Sequence, residues 1–243
     1  MRFIGDAETR IQEDHLRILR YFRFATRFGD GWDEEATAAC SALAPTLKGL
    51  SRERVAMELM AILALPDPAP TIARMRARGV LPVILPEAGT SQIAALERLI
   101  ESEARFGMQG DPITRLAALI PAVDGVADNV AARLRLSRRH RDLLGCLARR
   151  QPTDSEAAKA LAYAEGSECA VGRLILEGHD LRPLDGWDVP DLPLKGGQIV
   201  ARGLAGPDVS KALREVEARW IAEDFPGRSR VLELLDAVLA ERD

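Results

Sequence analysis

Apolar residues recur at helical intervals along nearly the whole chain. Leu16, Leu19, Phe22 and Phe24 fall on one face, with Ile18, Ala25 and Phe28 widening it, so the spacing predicts a helix over 13–28. Gly29-Asp30-Gly31 ends it. Further helices are predicted over 33–43 and from Ser51, an N-cap residue type, to about Leu63. The pattern continues over 71–78 (closed by Gly79), 91–105, 112–120, 125–135 and 138–150, with Ser137 capping the last. It resumes over 155–166, 168–177, 197–203 and 207–222, and a final helix starts near Gly227. Leu81-Pro82 to Leu85-Pro86 reads as a bend. The fold class is therefore all-α, about a dozen short helices with almost no strand.

Two breaks divide the pattern. Leu65-Pro66-Asp67-Pro68-Ala69-Pro70 is proline-rich, and Gln151-Pro152-Thr153-Asp154 carries turn formers. They suggest three helical segments, 1–65, 66–150 and 151–243, with an extended connector over 178–196. Ahead of the first helix, Arg2-Phe3-Ile4-Gly5-Asp6 is a strand-like scrap with nothing to pair with. It reads as the end of a domain begun elsewhere and is expected to lie exposed or loosely packed.

Composition agrees. Aromatics make up only 5% of the 243 residues, and Ala, Leu and Arg are abundant, which favours helix over sheet. The formal net charge of −4 excludes a generally basic molecule, so nucleic acid would have to be met by local patches. Basic residues do clump, in 17–27 and 133–150. Cys40, Cys146 and Cys169 form an odd, scattered set without CxxC, which argues against a disulfide framework or zinc site and fits a reducing cytoplasm. No apolar run approaches a membrane span.

Catalytic signatures are missing. There is no GxxxxGK[ST], no GxGxxG and no Asp-x-Asp to present two carboxylates to a pair of magnesium ions. His15, His140 and His179 are too dispersed for a metal set, and His179-Asp180 reads as a polar helix end. The positive signal is Glu13-Asp14-His15-Leu16-Arg17. On one helix, Asp14 and Arg17 would be i,i+3 neighbours. A carboxylate beside a guanidinium can accept from the exocyclic amine of cytosine or adenine and donate to the adjacent ring nitrogen. Uracil and guanine present a carbonyl where that amine sits. Such a contact discriminates by about 1–3 kcal/mol. The spacing equally suits a surface salt bridge, worth about 0.2–0.5 kcal/mol.

The surrounding residues carry a longer pattern. Arg2-Phe3-Ile4-Gly5-Asp6, then Arg10-Ile11-Gln12-Glu13-Asp14-His15-Leu16-Arg17-Ile18-Leu19-Arg20-Tyr21-Phe22-Arg23-Phe24, resembles the head–neck junction of class II tRNA nucleotidyltransferases, the CCA-adding enzyme and bacterial poly(A) polymerase family. Leu50-Ser51-Arg52-Glu53-Arg54-Val55-Ala56-Met57-Glu58-Leu59 is similar to its later neck motif, and Pro193-Leu194-Lys195-Gly196 with Gly206-Pro207 to its tail. Gln198 stands where Asp is common and Ser210 where Gly is common, which puts fine details of tail RNA contact in doubt.

The resemblance implies a neck (1–65), a body (66–150) and a tRNA-contacting tail (151–243), without the catalytic head. It implies that Asp14 and Arg17 read the base and that Glu13 supports them. Arg20 and Arg23 become candidates for nucleotide phosphate or head contacts, or simply a solvated basic face. Glu53, Arg54 and Glu58 become a bracing motif, with Arg54–Glu58 at i,i+4 spacing. Arg138, Arg139, Arg141 and Lys195 are candidates for tRNA phosphates, within a cluster that also holds Arg133, Arg135, Arg149 and Arg150 and that an ordinary solvated surface explains almost as well. The implied substrates are ATP, CTP and tRNA, and the implied cofactor is Mg2+, held by head carboxylates. The isolated chain is then expected to be inactive. A stand-alone helical RNA-binding module without catalysis, and an unrelated helical interaction protein, remain as alternatives.

Overall fold

The structure, a computed structural model, describes residues 1–29 and 31–241. Among them are fifteen α-helices, three 3-10 turns and no strand. In chain order the helices are α1 (Ala7–Glu13), α2 (Arg17–Phe28), α3 (Glu34–Leu43), α4 (Arg52–Leu63), α5 (Ala69–Ala77), α6 (Leu81–Ile84), α7 (Thr90–Arg105), α8 (Pro112–Ala118), α9 (Val126–Arg133), α10 (Arg138–Ala148), α11 (Ala158–Glu165), α12 (Ser167–Leu176), α13 (Gly196–Val200), α14 (Pro207–Ala222) and α15 (Arg228–Ala240). The expected bend at Leu81 closes into the short helix α6.

The caps explain the boundaries. Asp6, Asp33, Ser51, Asp111 and Ser137 each accept a hydrogen bond from a first-turn backbone N–H, satisfying a donor with no partner in its helix. Gly29 ends α2 in the left-handed conformation, its N–H on the Ala25 carbonyl at 3.2 Å. Asp30 of the expected terminating triplet lies outside the described residues.

The chain forms two compact units. The first comprises 1–154 and 172–181, and the second 155–171 and 182–243. In the first unit α2 buries Ile18, Leu19 and Phe22, and its N-cap residue Leu16, completely or nearly so. Burial of side chains this size stabilises by about 1.5–3 kcal/mol each. Phe24 and Phe28 differ from expectation: neither packs on the core, and Phe28 remains 59% exposed. The 2–6 segment carries no regular structure, and Ile4 is exposed, while Phe3 stacks on Tyr21 at 5.5 Å.

The proline-rich turn lies inside the first unit, where buried Arg115 holds it. The guanidinium donates to the carbonyls of Leu63, Leu65 and Pro66 at 2.6, 2.5 and 3.2 Å, and binds the buried Glu103 carboxylate at 2.7 Å. Every one of its nitrogens is thus satisfied, the condition for burying a charge. In the second unit α14 and α15 pack around Trp220, whose indole donates to the Pro226 carbonyl at 2.8 Å.

Cys40 is a free, buried thiol. No helix among the described residues is long and apolar enough to cross a membrane.

Candidate functional site

The helix expected over 13–28 begins only at Arg17, after a separate and unexpected helix α1 that ends at Glu13, and Asp14 is the reason for the break. Its backbone is extended (φ −155°, ψ 103°), ending α1. Its carboxylate accepts from the N–H of Leu16 at 3.2 Å, a local bond that competes with the helical ladder. The chain turns through the Arg17 N–H to Asp14 carbonyl bond at 2.9 Å, and α2 begins at Arg17. Asp14 and Arg17 therefore flank a helix junction and are not i,i+3 neighbours on one helix. Both are part-exposed, with 27% and 30% of their side chains accessible.

Each has its own ionic partner. Arg17 donates through one nitrogen, Nη1, to Glu13 at 2.5 Å and to the Arg10 carbonyl at 2.7 Å. Arg10 also binds Glu13 at 2.9 Å. The Arg17 hydrogen bond, with Arg10 beside it, holds the Glu13 carboxyl below the usual carboxylate range. The Asp14 carboxylate is bridged by Nη2 of Arg54, at 2.9 and 3.1 Å. The expected Arg54–Glu58 pair is not made. Arg54 instead crosses from α4 to Asp14, and Glu58, only 8% exposed, binds Arg20 at 3.0 Å and Arg23 at 2.8 Å on α2. Bracing of the motif thus runs between helices, where two cations can neutralise one buried carboxylate. Glu53 binds Arg135 at 2.6 Å, which pushes its carboxyl down to about 2.

Six guanidiniums (Arg10, Arg17, Arg20, Arg23, Arg54, Arg135) thus meet four carboxylates (Glu13, Asp14, Glu53, Glu58). The surplus is positive and suits an anionic ligand. The same pairing does not suit magnesium: each carboxylate is already held by a guanidinium, and no two are left to share a divalent ion. Arg17 keeps Nε and Nη2 without partners among the described residues, and Asp14 keeps lone pairs beyond those used by Arg54 and Leu16. The junction therefore offers a donor fork and an acceptor within one turn of chain.

The other sequence candidates belong to other helices. Arg138, Arg139 and Arg141 are exposed in the first turn of α10, with Arg138 3.7 Å from Asp142. Cations there oppose the helix dipole, so a phosphate would relieve them. Arg133 is committed to Glu87 at 2.5 Å. Lys195 precedes α13, its N–H capped by Gln198 at 3.0 Å, so the glutamine standing in for Asp performs an N-terminal capping role. Sequence reasoning missed Arg10 and Arg135 as partners of this network. Arg10 is signalled by i,i+3 spacing to Glu13, whereas nothing local signals Arg135, 82 residues from Glu53.

Comparison with known proteins places these features in context. Residues 33–90 match a family model described as the probable RNA and SrmB-binding site of polymerase A. The mitochondrial CCA tRNA nucleotidyltransferase 1 of Mus musculus is 30% identical over 244 residues, covering 90% of this chain and 54% of the relative. A CCA-adding enzyme of Streptococcus pneumoniae (strain CGSP14) is 27% identical over 243 residues, covering 89% and 58%. The chain thus spans little more than half the length of these relatives. Among solved structures, the Thermotoga maritima CCA-adding enzyme complexed with tRNA superposes with a TM-score of 0.68 at 19% identity, covering 96% of this chain and 62% of that one. A CCA-adding enzyme complexed with ATP gives 0.70 at 19% identity, covering 96% and 61%. These likenesses establish a shared fold.

Proposed function

We propose, from the premise that this chain belongs to the class II tRNA nucleotidyltransferase family and matches its C-terminal part, that it selects the incoming base and holds RNA during addition of CMP and AMP to the tRNA 3′ end. The observation that carries the reading is the α1–α2 junction, where Asp14 and Arg17 are each held by a partner that leaves hydrogen-bonding capacity over. Asp14 would accept from the exocyclic amine of cytosine or adenine, and Arg17 would donate to the neighbouring ring nitrogen. Glu13 and the Arg10 carbonyl fix one nitrogen of the Arg17 fork. Arg54 fixes Asp14, so the base meets a template oriented in advance.

Transfer itself requires activation of the 3′-hydroxyl and neutralisation of the leaving pyrophosphate, which magnesium on a head domain's carboxylates would supply. The carboxylates of this junction do not fit that task, and no step is assigned to them. In the proposed division of labour, 1–65 is the neck with the selector, 66–150 the body and 151–243 the tail. Arg138, Arg139, Arg141 and Lys195 would meet tRNA phosphates without reading sequence. Arg20 and Arg23, tied to Glu58, brace α2 against α4 and leave a net positive charge for a triphosphate.

The test is reconstitution. Fused to a family head domain, the chain should add CMP and AMP to tRNA in the presence of magnesium, and alone it should add neither. Robust incorporation by the purified chain alone would show that the catalytic centre has been misplaced. A second reading, an RNA-binding module without catalysis, is favoured by the match of residues 33–90 to an RNA-binding segment. It would be supported by tRNA binding together with failure of every head fusion to incorporate nucleotide.

A further inference from the structure

One face of α2 carries a feature that neither the core nor the selector uses. The rings of Phe24 and Phe28, one helical turn apart, stack along the surface with centroids 6.0 Å apart and planes 28° from parallel. The Arg23 guanidinium lies 4.4 Å over the Phe24 ring, and that of Arg27 lies 5.8 Å from the Phe28 centroid. The result is a ladder of two stacked rings with a guanidinium against each. Neither ring packs on the core, and Phe28 is 59% exposed at the end of the helix, forgoing the burial that stabilises Phe22. Arg23 is not free to wander: its Nε donates to Glu58 at 2.8 Å, which presets the plane of its guanidinium.

We propose that this ladder is a stacking platform for unpaired nucleotides of single-stranded RNA. Every base has a π-face, and bases stack on aromatic rings and on guanidinium planes alike. The phosphates between bases are drawn to the same cations. A protein partner's apolar face would cover the rings only by also stripping water from two guanidiniums. A strand of RNA satisfies rings and charges together, and this complementarity selects the occupant. Stacking tolerates any sequence, so the platform differs in kind from the base-edge contacts of Asp14 and Arg17. It supplies grip on single strands without choice. The inference rests on the reading of the chain as an RNA-handling module, and it does not require the selector to be correct.

The experiment is fluorescence anisotropy of the chain with a labelled oligoadenylate, single-stranded and again paired with its complement. Phe28 is exposed and outside the core, so its variants should fold, and circular dichroism checks this. Phe28→Ala and Phe28→Leu should each weaken binding of the single strand by about fivefold or more, Phe28→Trp should match or exceed the parent, and the duplex should respond to none of them. The leucine variant separates the occupants, because a protein-docking patch would keep its hydrophobicity. Overturning results are oligoadenylate affinity unchanged in Phe28→Ala, full affinity in Phe28→Leu, or no binding by the parent chain. If Phe28 controls oligoadenylate binding while head-fused enzyme ignores substitution of Asp14 and Arg17, the selector reading falls and the platform stands.

Discussion

Arg54 of α4 spans both carboxylate oxygens of Asp14 across forty positions of sequence, with Nη2 at 2.9 and 3.1 Å. Both side chains are part-exposed, at 46% and 27%, so the pair adds only about 0–1 kcal/mol to stability. Its consequence is positional: it fixes the Asp14 carboxylate at the α1–α2 junction.

Substituting Arg54 should therefore separate function from stability. In head-fused enzyme, Arg54→Ala should leave the unfolding midpoint nearly unchanged but relax the preference for CTP and ATP over UTP and GTP. Arg54→Lys should restore it only partly: both contacts come from the one nitrogen Nη2, which an ammonium can replace as a point donor, but the shorter side chain holds Asp14 less firmly. A loss of several kcal/mol in stability with base choice intact would make Arg54 a structural residue alone.

The buried pair of Arg115 and Glu103 should behave in the opposite way. Arg115→Ala strands a buried carboxylate and three carbonyls of the proline-rich turn, and should cost about 3–5 kcal/mol in urea unfolding. Gly110→Ala should also destabilise, because a Cβ there would sit 2.1 Å from the Arg115 guanidinium. Stability within about 1 kcal/mol of the parent for Arg115→Ala would mean that water or a neighbour replaces these bonds.

Glu53 gives a pH test. Its carboxyl is pushed from 4.5 to about 2, chiefly by the hydrogen bond from Arg135. A folded-state value below the unfolded one means that the Arg135 contact stabilises fully above the ordinary carboxylate range and is lost as pH falls towards 2. Carboxyl-carbon NMR of Glu53 should titrate near 2 in the parent and higher in Arg135→Ala, yet still below 4.5 because the Ser51 and backbone hydrogen bonds remain. Titration near 4.5 in both would show that the pair does not persist in solution.

The arginine-rich first turn of α10 is open to a salt test. If Arg138 and Arg141 meet tRNA phosphates, replacing either by Ala should lower the slope of log affinity against log salt by about 1 while leaving sequence preference alone. An unchanged slope in the double variant would return these residues to the solvated surface.

The sequence was legible where its signals are local. Ser51, Ser137 and Gly29 announced helix ends because a cap acts within one turn. Leu16, Leu19 and Phe22 announced the core face of α2 by their spacing. Helix α1 and the break at Asp14 were not legible: the apolar spacing read for the first helix begins only at Leu16, and an Asp bonding its own chain separates the two helices. Arg54 with Asp14, Glu58 with Arg20 and Arg23, and Arg115 with the Leu63–Pro66 carbonyls are pairings at long range. A charged residue matches any opposite charge equally well on paper, so only the packing of α2, α4 and α8 decides among them. Phe28 was misplaced for the reverse reason: its spacing fits the buried face, but the core ends before it.

The central claim is tested most directly by incorporation of CTP, ATP, UTP and GTP into tRNA by head-fused enzyme carrying Asp14→Ala. Triphosphate and magnesium would be anchored by the head, so loss of the Asp14 contact should spare triphosphate binding. It should erode discrimination against UTP and GTP by about 1–3 kcal/mol, roughly 5- to 150-fold. Arg17→Ala should do the same. Full retention of the preference for CTP and ATP by the Asp14→Ala enzyme would contradict the account and leave the α1–α2 junction as a set of ordinary surface salt bridges.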